Sequence, residues 1–428
     1  MFFWTSSVHA QVTHHASSAE AVSLDEILSR VATAHPSLDA AQLRADALAL
    51  RADQVSLWPD PEVGVTIMPM PVFTAKGAQR SQWRVSQQIP YRGQRDAQVD
   101  YAEAVADEAE AEVEIRRADL LLMAKEAYYR LLLAQIHIAD LRAFAAEVTQ
   151  FEQAATAQYE VGQGTQQAIL MAQIEHNRLS QRMLEQERRA ERARLLLARL
   201  LNSPDEVIEH AEMAPLPILG GLEAEPLVAI AMAQRSEWQQ FEQAEAQAML
   251  RERLVDYEAK PTLDAHVSYV DIVNSNFPAA ATGRDALAVG VSVGLSLQRG
   301  RLSASRQEAR VQQRHVEVER EVFALEVATE VALHLSELRL AQQQIDLYEE
   351  ALVPQAHTTV EATLTAYTAG TIDFINLLDA RRTLLRLHMD HHDTLIAYLK
   401  AVAALERTLG VNRLTDVLPL TFRPLMEP

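Results

Sequence analysis

Residues 286–297 read ALAVGVSVGLSL, and the fold turns on how this stretch is interpreted. Leu287, Val289, Val291, Val293, Leu295 and Leu297 take every second position, with only Ala288, Gly290, Ser292, Gly294 and Ser296 between them. Successive side chains of an extended strand point to opposite faces, so this pattern makes one apolar face and one small or polar face. The surrounding chain looks different. Its 428 residues include only 13 Gly and 16 Pro, few enough to leave long stretches without a breaker. Ala, Leu, Glu, Gln and Arg, all good helix formers, recur throughout.

The helices can be placed from these patterns. Ser23 with Glu26 three residues later forms a capping-box signature, and Pro36 starts a second segment that runs to about Leu57. From Gln94 to Gln158 there is neither Gly nor Pro, which predicts one helix of roughly 100 Å. Residues 165–201, 227–258, 301–366 and 371–409 have the same character. Helices of this length imply coiled-coil packing. In the last of them Leu377, Leu384, His391, Tyr398 and Leu405 are spaced by seven, as are His388, Leu395, Val402 and Leu409. Together they predict a seam of a and d positions.

The chain also echoes itself. A shift of 200 lays Arg51 on Arg251 and Pro61 on Pro261, and a shift of 208 lays Tyr159 and Gly162 on Tyr367 and Gly370, and Ala172 on Ala380. The expected organisation is a leader or signal remnant at 1–22, a first repeat at 23–220, a second at 221–410 and a C-terminal tail at 411–428. Each repeat carries a strand pair, 62–70 with 81–90 and 262–272 with 286–297, joined by loops at about 69–80 and 274–285. The leader reading rests on MFFWTSSVHAQVTHH, an apolar start followed by Val8-His9-Ala10.

Strands of nine to twelve residues match the span of a membrane β-strand. Four of them cannot close a barrel, and an open edge does not survive in lipid, so closure calls for several protomers. The apolar face of 287–297 would then meet lipid and the Ala/Gly/Ser face a lumen. A small soluble sheet packed on a helix fits the same alternation. The formal charge of −20 speaks against a nucleic-acid partner, and the absence of cysteine excludes disulfides and thiolate metal sites.

With Tyr367-Thr-Ala-Gly370-Thr371-Ile-Asp-Phe-Ile-Asn-Leu-Leu-Asp379-Ala380 and its echo Tyr159-Glu-Val-Gly162-Gln-Gly164-Thr165, the chain resembles the outer membrane efflux protein family, the TolC-like channels of tripartite pumps. The resemblance covers about residues 24–410. It implies a mainly α-helical homotrimer with a twelve-stranded membrane barrel and a periplasmic tunnel of long antiparallel helices. It also implies a periplasmic adaptor, an inner-membrane RND-type pump, outer-membrane lipid around the barrel, and neither cofactor nor enzymatic activity. By the same resemblance, adaptor docking falls to the tip turns at Gly162, Gly164, Thr165, Gly370 and Thr371. The entrance constriction falls to Asp379, with Asn376 where the family carries a second aspartate and Asp373 one turn earlier. Leu57-Trp-Pro-Asp-Pro-Glu62 and Ser86-Gln-Gln-Ile-Pro-Tyr-Arg-Gly-Gln-Arg95 look like the heavy-metal branch.

Other candidate chemistry is thin. Gly162-x-Gly164 follows a helix rather than a strand and lacks a third glycine, so it fails as a nucleotide fingerprint. His388 and His392 are spaced to share a helical face, and with His391 they are weak metal candidates, yet His388 and His391 also fall on the predicted seam. Met68 and Met70 could meet soft Cu(I), but read far more readily as ordinary loop-entry residues. The alternatives are a duct for drug efflux or type I protein secretion, or a soluble structural coiled-coil protein.

Overall fold

The computed structural model describes residues 22–162, 164–206, 208–213, 215–218, 221–274, 283–419 and 421–423. Most of the expected leader and the middle of the 274–285 loop lie outside these residues. Ser23 caps the first helix, its Oγ accepting the Glu26 N–H at 3.3 Å. In chain order the helices are α1 (Leu24–Ala34), α2 (Pro36–Ser56), α3 (Gln94–Glu160), α4 (Gln166–Leu200), α5 (Ala224–Gln234), α6 (Ser236–Glu258), α7 (Arg299–Leu347), α8 (Val353–Thr368) and α9 (Phe374–Leu409). The strands are β1 (Glu62–Thr74), β2 (Gly77–Ile89), β3 (Leu216–Ile218), β4 (Thr262–Val273), β5 (Ala286–Gly294) and β6 (Thr421–Arg423). Among the described residues no helix is long and apolar enough to cross a membrane.

The chain forms two compact units. One comprises residues 37–116 and 229–329 and holds the large sheet, an antiparallel array in the order β1-β2-β4-β5. Its register aligns like residues across all four strands. Val63, Val85, Val267 and Val289 form one cross-strand row, and Val65, Trp83, Tyr269 and Leu287 the next. All eight of these side chains are exposed. The opposite face carries Gly64, Arg84, Ser268 and Ala288, then Glu62, Ser86, His266 and Gly290. An antiparallel sheet in water usually buries its apolar face and wets the polar one, and here the apolar face is left uncovered. β1 and β5 are each paired on one side only, leaving two open edges.

The strands differ from expectation at two ends. β1 continues to Thr74 and β2 starts at Gly77, so Ala75-Lys76 is a tight turn where a loop at 69–80 was expected. Pro69 and Pro71 suggested the loop, but they fall within a register shift between Ile67 and Val72 on an edge strand, where proline costs no ladder bond. β5 ends at Gly294, short of Leu297, because its partner β4 begins at Thr262, directly after Pro261.

The other unit comprises residues 22–36, 117–228 and 330–423 of the described chain. The expected seam of α9 is present: Leu377, Leu384, Tyr398, Leu405, Leu395, Val402 and Leu409 are all buried. One core cluster joins Leu141, Phe144 and Val148 of α3 to Ala172 and Leu179 of α4 and Phe374, Leu378 and Leu385 of α9. Truncating a fully buried leucine such as Leu378 to alanine would cost about 2–5 kcal/mol. The helix expected to run unbroken over 301–366 is interrupted by a π-turn at Tyr348–Leu352. Pro354 follows at once and cannot donate to the carbonyl one turn back, so the ladder is reorganised ahead of it. A deeply buried ion pair lies elsewhere in this unit, Lys125 Nζ donating to Glu406 Oε2 and to the Asn412 carbonyl, both at 2.6 Å.

Candidate functional site: paired turns and an acidic helix start

The two glycine turns predicted from the sequence are built alike. After α3, the Gly162 N–H donates to the Tyr159 carbonyl at 3.0 Å, and after α8, the Gly370 N–H donates to the Tyr367 carbonyl at 2.9 Å. Gly162 has φ +75° and Gly370 φ +71°, the left-handed conformation that ends a helix at little cost only in glycine. Neither has another atom in the way of a Cβ, so it is backbone strain that selects glycine there. Gly164 differs: a Cβ there would press on the backbone of Tyr159 and Gln158. Thr165 then caps α4, its Oγ1 accepting the Ala168 N–H at 3.3 Å. Thr371 donates both its N–H and its hydroxyl to the Ala366 carbonyl, at 3.0 and 2.8 Å.

The structure brings the two turns together. Tyr367 Oη donates to Gln158 Oε1 at 3.3 Å, and the Phe374 ring lies 6.1 Å from Tyr367 and 6.0 Å from Phe151, centroid to centroid. Tyr159 and Val161 stay exposed at the first turn.

At the start of α9, Asp373, Asn376 and Asp379 are exposed, while Phe374, Leu377 and Leu378 are buried on the other side. The spacing of three keeps the exposed trio on one stripe of the helix. Asp373 holds the N-cap position. Asp379 is not a free carboxylate: Arg382 Nη1 donates to its Oδ1 at 3.0 Å. Nη2 of the same guanidinium donates to Glu175 Oε2 on α4 at 2.5 Å, and Glu175 is only 3 % exposed. Burial alone would lower the Arg382 pKa, but the hydrogen bonds and charges of Glu175 and Asp379 outweigh it and raise it. A second brace runs from Arg381 to Glu147 on α3 at 3.2 Å. Sequence reasoning missed Arg382 and Glu175. The Asp379–Arg382 spacing of three was a readable signal, whereas Glu175 lies over two hundred positions away.

The histidines are brought near one another but not into a metal site. His392 Nδ1 lies 3.0 Å from Asp140 Oδ2 and His391 Nε2 lies 3.3 Å from Glu349 Oε1, while the His388 ring faces His357 at 5.5 Å. Among the described residues no three His, Asp or Glu side chains gather as a set that could hold a metal ion. Met70 lies fully in the open at the β1 irregularity, and Met68 is half-buried.

Comparison with known proteins fits this geometry. CusC, whose structures concern folding and transmembrane channel formation, shares the fold with a TM-score of 0.76 at 16 % identity, over 91 % of this chain and 92 % of that one. VceC from Vibrio cholerae, an outer membrane protein, matches with a TM-score of 0.74 at 17 % identity, over 91 % of this chain and 96 % of that one. The outer-membrane channel OprN matches with a TM-score of 0.75 at 18 % identity, over 90 % and 89 %. In sequence, the cobalt-zinc-cadmium resistance protein CzcC of Cupriavidus metallidurans is 21 % identical over 402 residues, spanning 91 % of this chain and 90 % of that protein. Residues 233–411 match the model of the outer membrane efflux protein family.

Proposed function

We propose that the protein is the outer-membrane channel of a tripartite efflux pump, a non-enzymatic duct of the heavy-metal branch. The observation that carries this reading is the large sheet, whose apolar rows are uncovered and whose two edges are open. In water that arrangement exposes Val289, Leu287 and Trp83 together. In lipid it is satisfied if three copies join edge to edge into a twelve-stranded barrel. A soluble coiled-coil protein has no use for such a face.

α7 supports assembly of the same kind. Val311, Val318 and Leu325 are spaced by seven and exposed, as are Leu333, Leu340 and Leu347 further along. Such a heptad stripe suits packing against a neighbouring copy. The matching order of elements in 24–200 and 224–409 supports an internal duplication.

In this reading the periplasmic adaptor meets the turns at Gly162, Gly164, Thr165, Gly370 and Thr371. An inner-membrane RND-type pump supplies the energy. Asp379, with Asp373 and Asn376 along the same stripe, lines the entrance and favours cations over anions. The metal cargo is supported by the likeness to CzcC.

Growth of a deletion strain, with and without plasmid rescue, tests the whole reading. Rescued sensitivity to cobalt, zinc, cadmium, copper or nickel is expected. Sensitivity to detergents and dyes instead would make this a duct for drug efflux, and a secretion defect would make it a type I secretion duct.

A further inference from the structure

Five histidines, His137, His357, His388, His391 and His392, crowd one level of α3, α8 and α9, beside the π-turn at Tyr348–Leu352. Two of them have surroundings that resist a second proton. His137 is 2 % exposed, and its Nε2 lies 3.4 Å from the Met389 carbonyl and 3.7 Å from Asp393 Oδ1. Its Nδ1 is buried without a hydrogen-bond partner. With the proton on Nε2, the neutral ring leaves only a lone pair at Nδ1. A second proton would strand a buried N–H donor there, the more expensive kind of unsatisfied group. The half-buried His388 faces another imidazole, His357, across α8 and α9, while Asp140 of α3 is the carboxylate that acts on it.

The other two α9 histidines are placed the opposite way. His391 Nε2 lies 3.3 Å from Glu349 and His392 Nδ1 3.0 Å from Asp140, closer to a carboxylate than His137 is to Asp393. The remaining charged and titratable groups at this level are Tyr348 from the π-turn and Asp390 and Asp393 from α9. Lys400 lies further along α9, near Arg130, Glu126 and Asp393.

We propose that this cluster is an acid-sensitive joint, in which protonation of His388 and His137 loosens α9 from α8 and α3 while His391 and His392 keep it in register. Burial holds both His388 and His137 below the usual histidine value; for His388 the nearby His357 and His392 add to the effect against Asp140. A group held low binds its proton more readily once the structure opens. Its stabilisation is therefore complete above about pH 6.5 and drains away as the pH falls through the lowered values. The π-turn gives the joint a place to yield, because its hydrogen-bond ladder is already irregular. Leu385 and Met389, on the same stretch of α9, pack into the core that holds Phe374 and Leu378, so loosening at the histidines reaches the paired turns.

This inference goes beyond the channel reading and holds for the folded chain whatever passes through it. Hydrogen exchange of the full chain in detergent micelles, at pH 7.5 and 5.5 and corrected for intrinsic rates, tests it directly. Peptides covering 348–368 and 384–396 should exchange about tenfold faster at the lower pH, and those of α6 should not change. The variant His357→Gln/His388→Gln should lose a clear part of that acceleration, the intact His137 retaining the rest. Equal protection of the wild type at both pH values, or an undiminished acid response in the variant, would overturn the joint. If the double variant does not fold, His357→Gln alone, at an exposed position, must still weaken the response. Failure to conduct ions in a bilayer would count against the channel and leave this result standing.

Discussion

Tyr367 and Gln158 join the two glycine turns: one side chain precedes Gly370, the other precedes Gly162, and they meet at 3.3 Å. The bond is exposed, and Tyr367→Phe should cost no more than about 1 kcal/mol. The glycines carry more of the geometry. Gly162→Val and Gly370→Val each force a left-handed backbone on a branched residue, at about 1–2 kcal/mol. In the double variant, trimers should still form on semi-native gels while efflux is abolished. Normal efflux would remove the turns from adaptor docking.

Asp379 and Glu175 share one guanidinium but differ in burial, so their substitutions should separate. Asp379→Ala should raise single-channel conductance or shift cation selectivity, with little change in melting temperature. Arg382→Met leaves the buried Glu175 carboxylate uncompensated and should destabilise by about 3–5 kcal/mol. Thermal melting in detergent distinguishes the two. An unchanged current in Asp379→Ala would place that residue away from the constriction.

Lys125 and Glu406 form the second buried pair. Lys125→Met strands the Glu406 carboxylate and should cost about 3–5 kcal/mol. Lys125→Met/Glu406→Leu should recover part of that loss, though not all, because Glu406 Oε1 also accepts the Leu414 N–H at 2.9 Å. A double variant no more stable than Lys125→Met would show that packing, and not charge, dominates there.

The two faces of the sheet predict opposite responses one residue apart. Val289→Arg places a charge on the apolar face and should cost about 2–4 kcal/mol if that face meets the bilayer midplane. Ala288→Arg, on the polar face, should assemble normally and change the current. The yield of heat-stable oligomer in the outer-membrane fraction measures both. Equal tolerance at the two positions would argue against lipid on the valine side.

Much of this was legible in the chain. Alternation located all four long strands, and heptads located the α9 seam, because burial imposes those periods directly on side-chain choice. What remained hidden depended on partners. Pro69 and Pro71 read as breakers until β1 proved to be an edge strand with an irregularity at that point. Leu295 and Leu297 keep the alternation beyond the last pairing, since nothing in their own identity records that β4 starts at Thr262. The π-turn before Pro354 is a local rearrangement of hydrogen bonds that leaves the helical composition unchanged. Asp379 was visible as an acid, but the buried Glu175 that shares its Arg382 belongs to tertiary packing.

The central pairing of the sheet, Ile89 with Leu263, joins residues roughly 170 positions apart, whereas β1–β2 is closed by a two-residue turn. Hairpins of that kind form in microseconds, while a junction between distant segments waits for the loop between them to be brought to order. The newly made chain must therefore carry two separate half-sheets, each with an uncovered valine face, for as long as α3 to α6 take to assemble. Until the central pairing forms, those two faces must be kept from pairing with other apolar surfaces. Variants that slow the helices should consequently appear as aggregation through the strands.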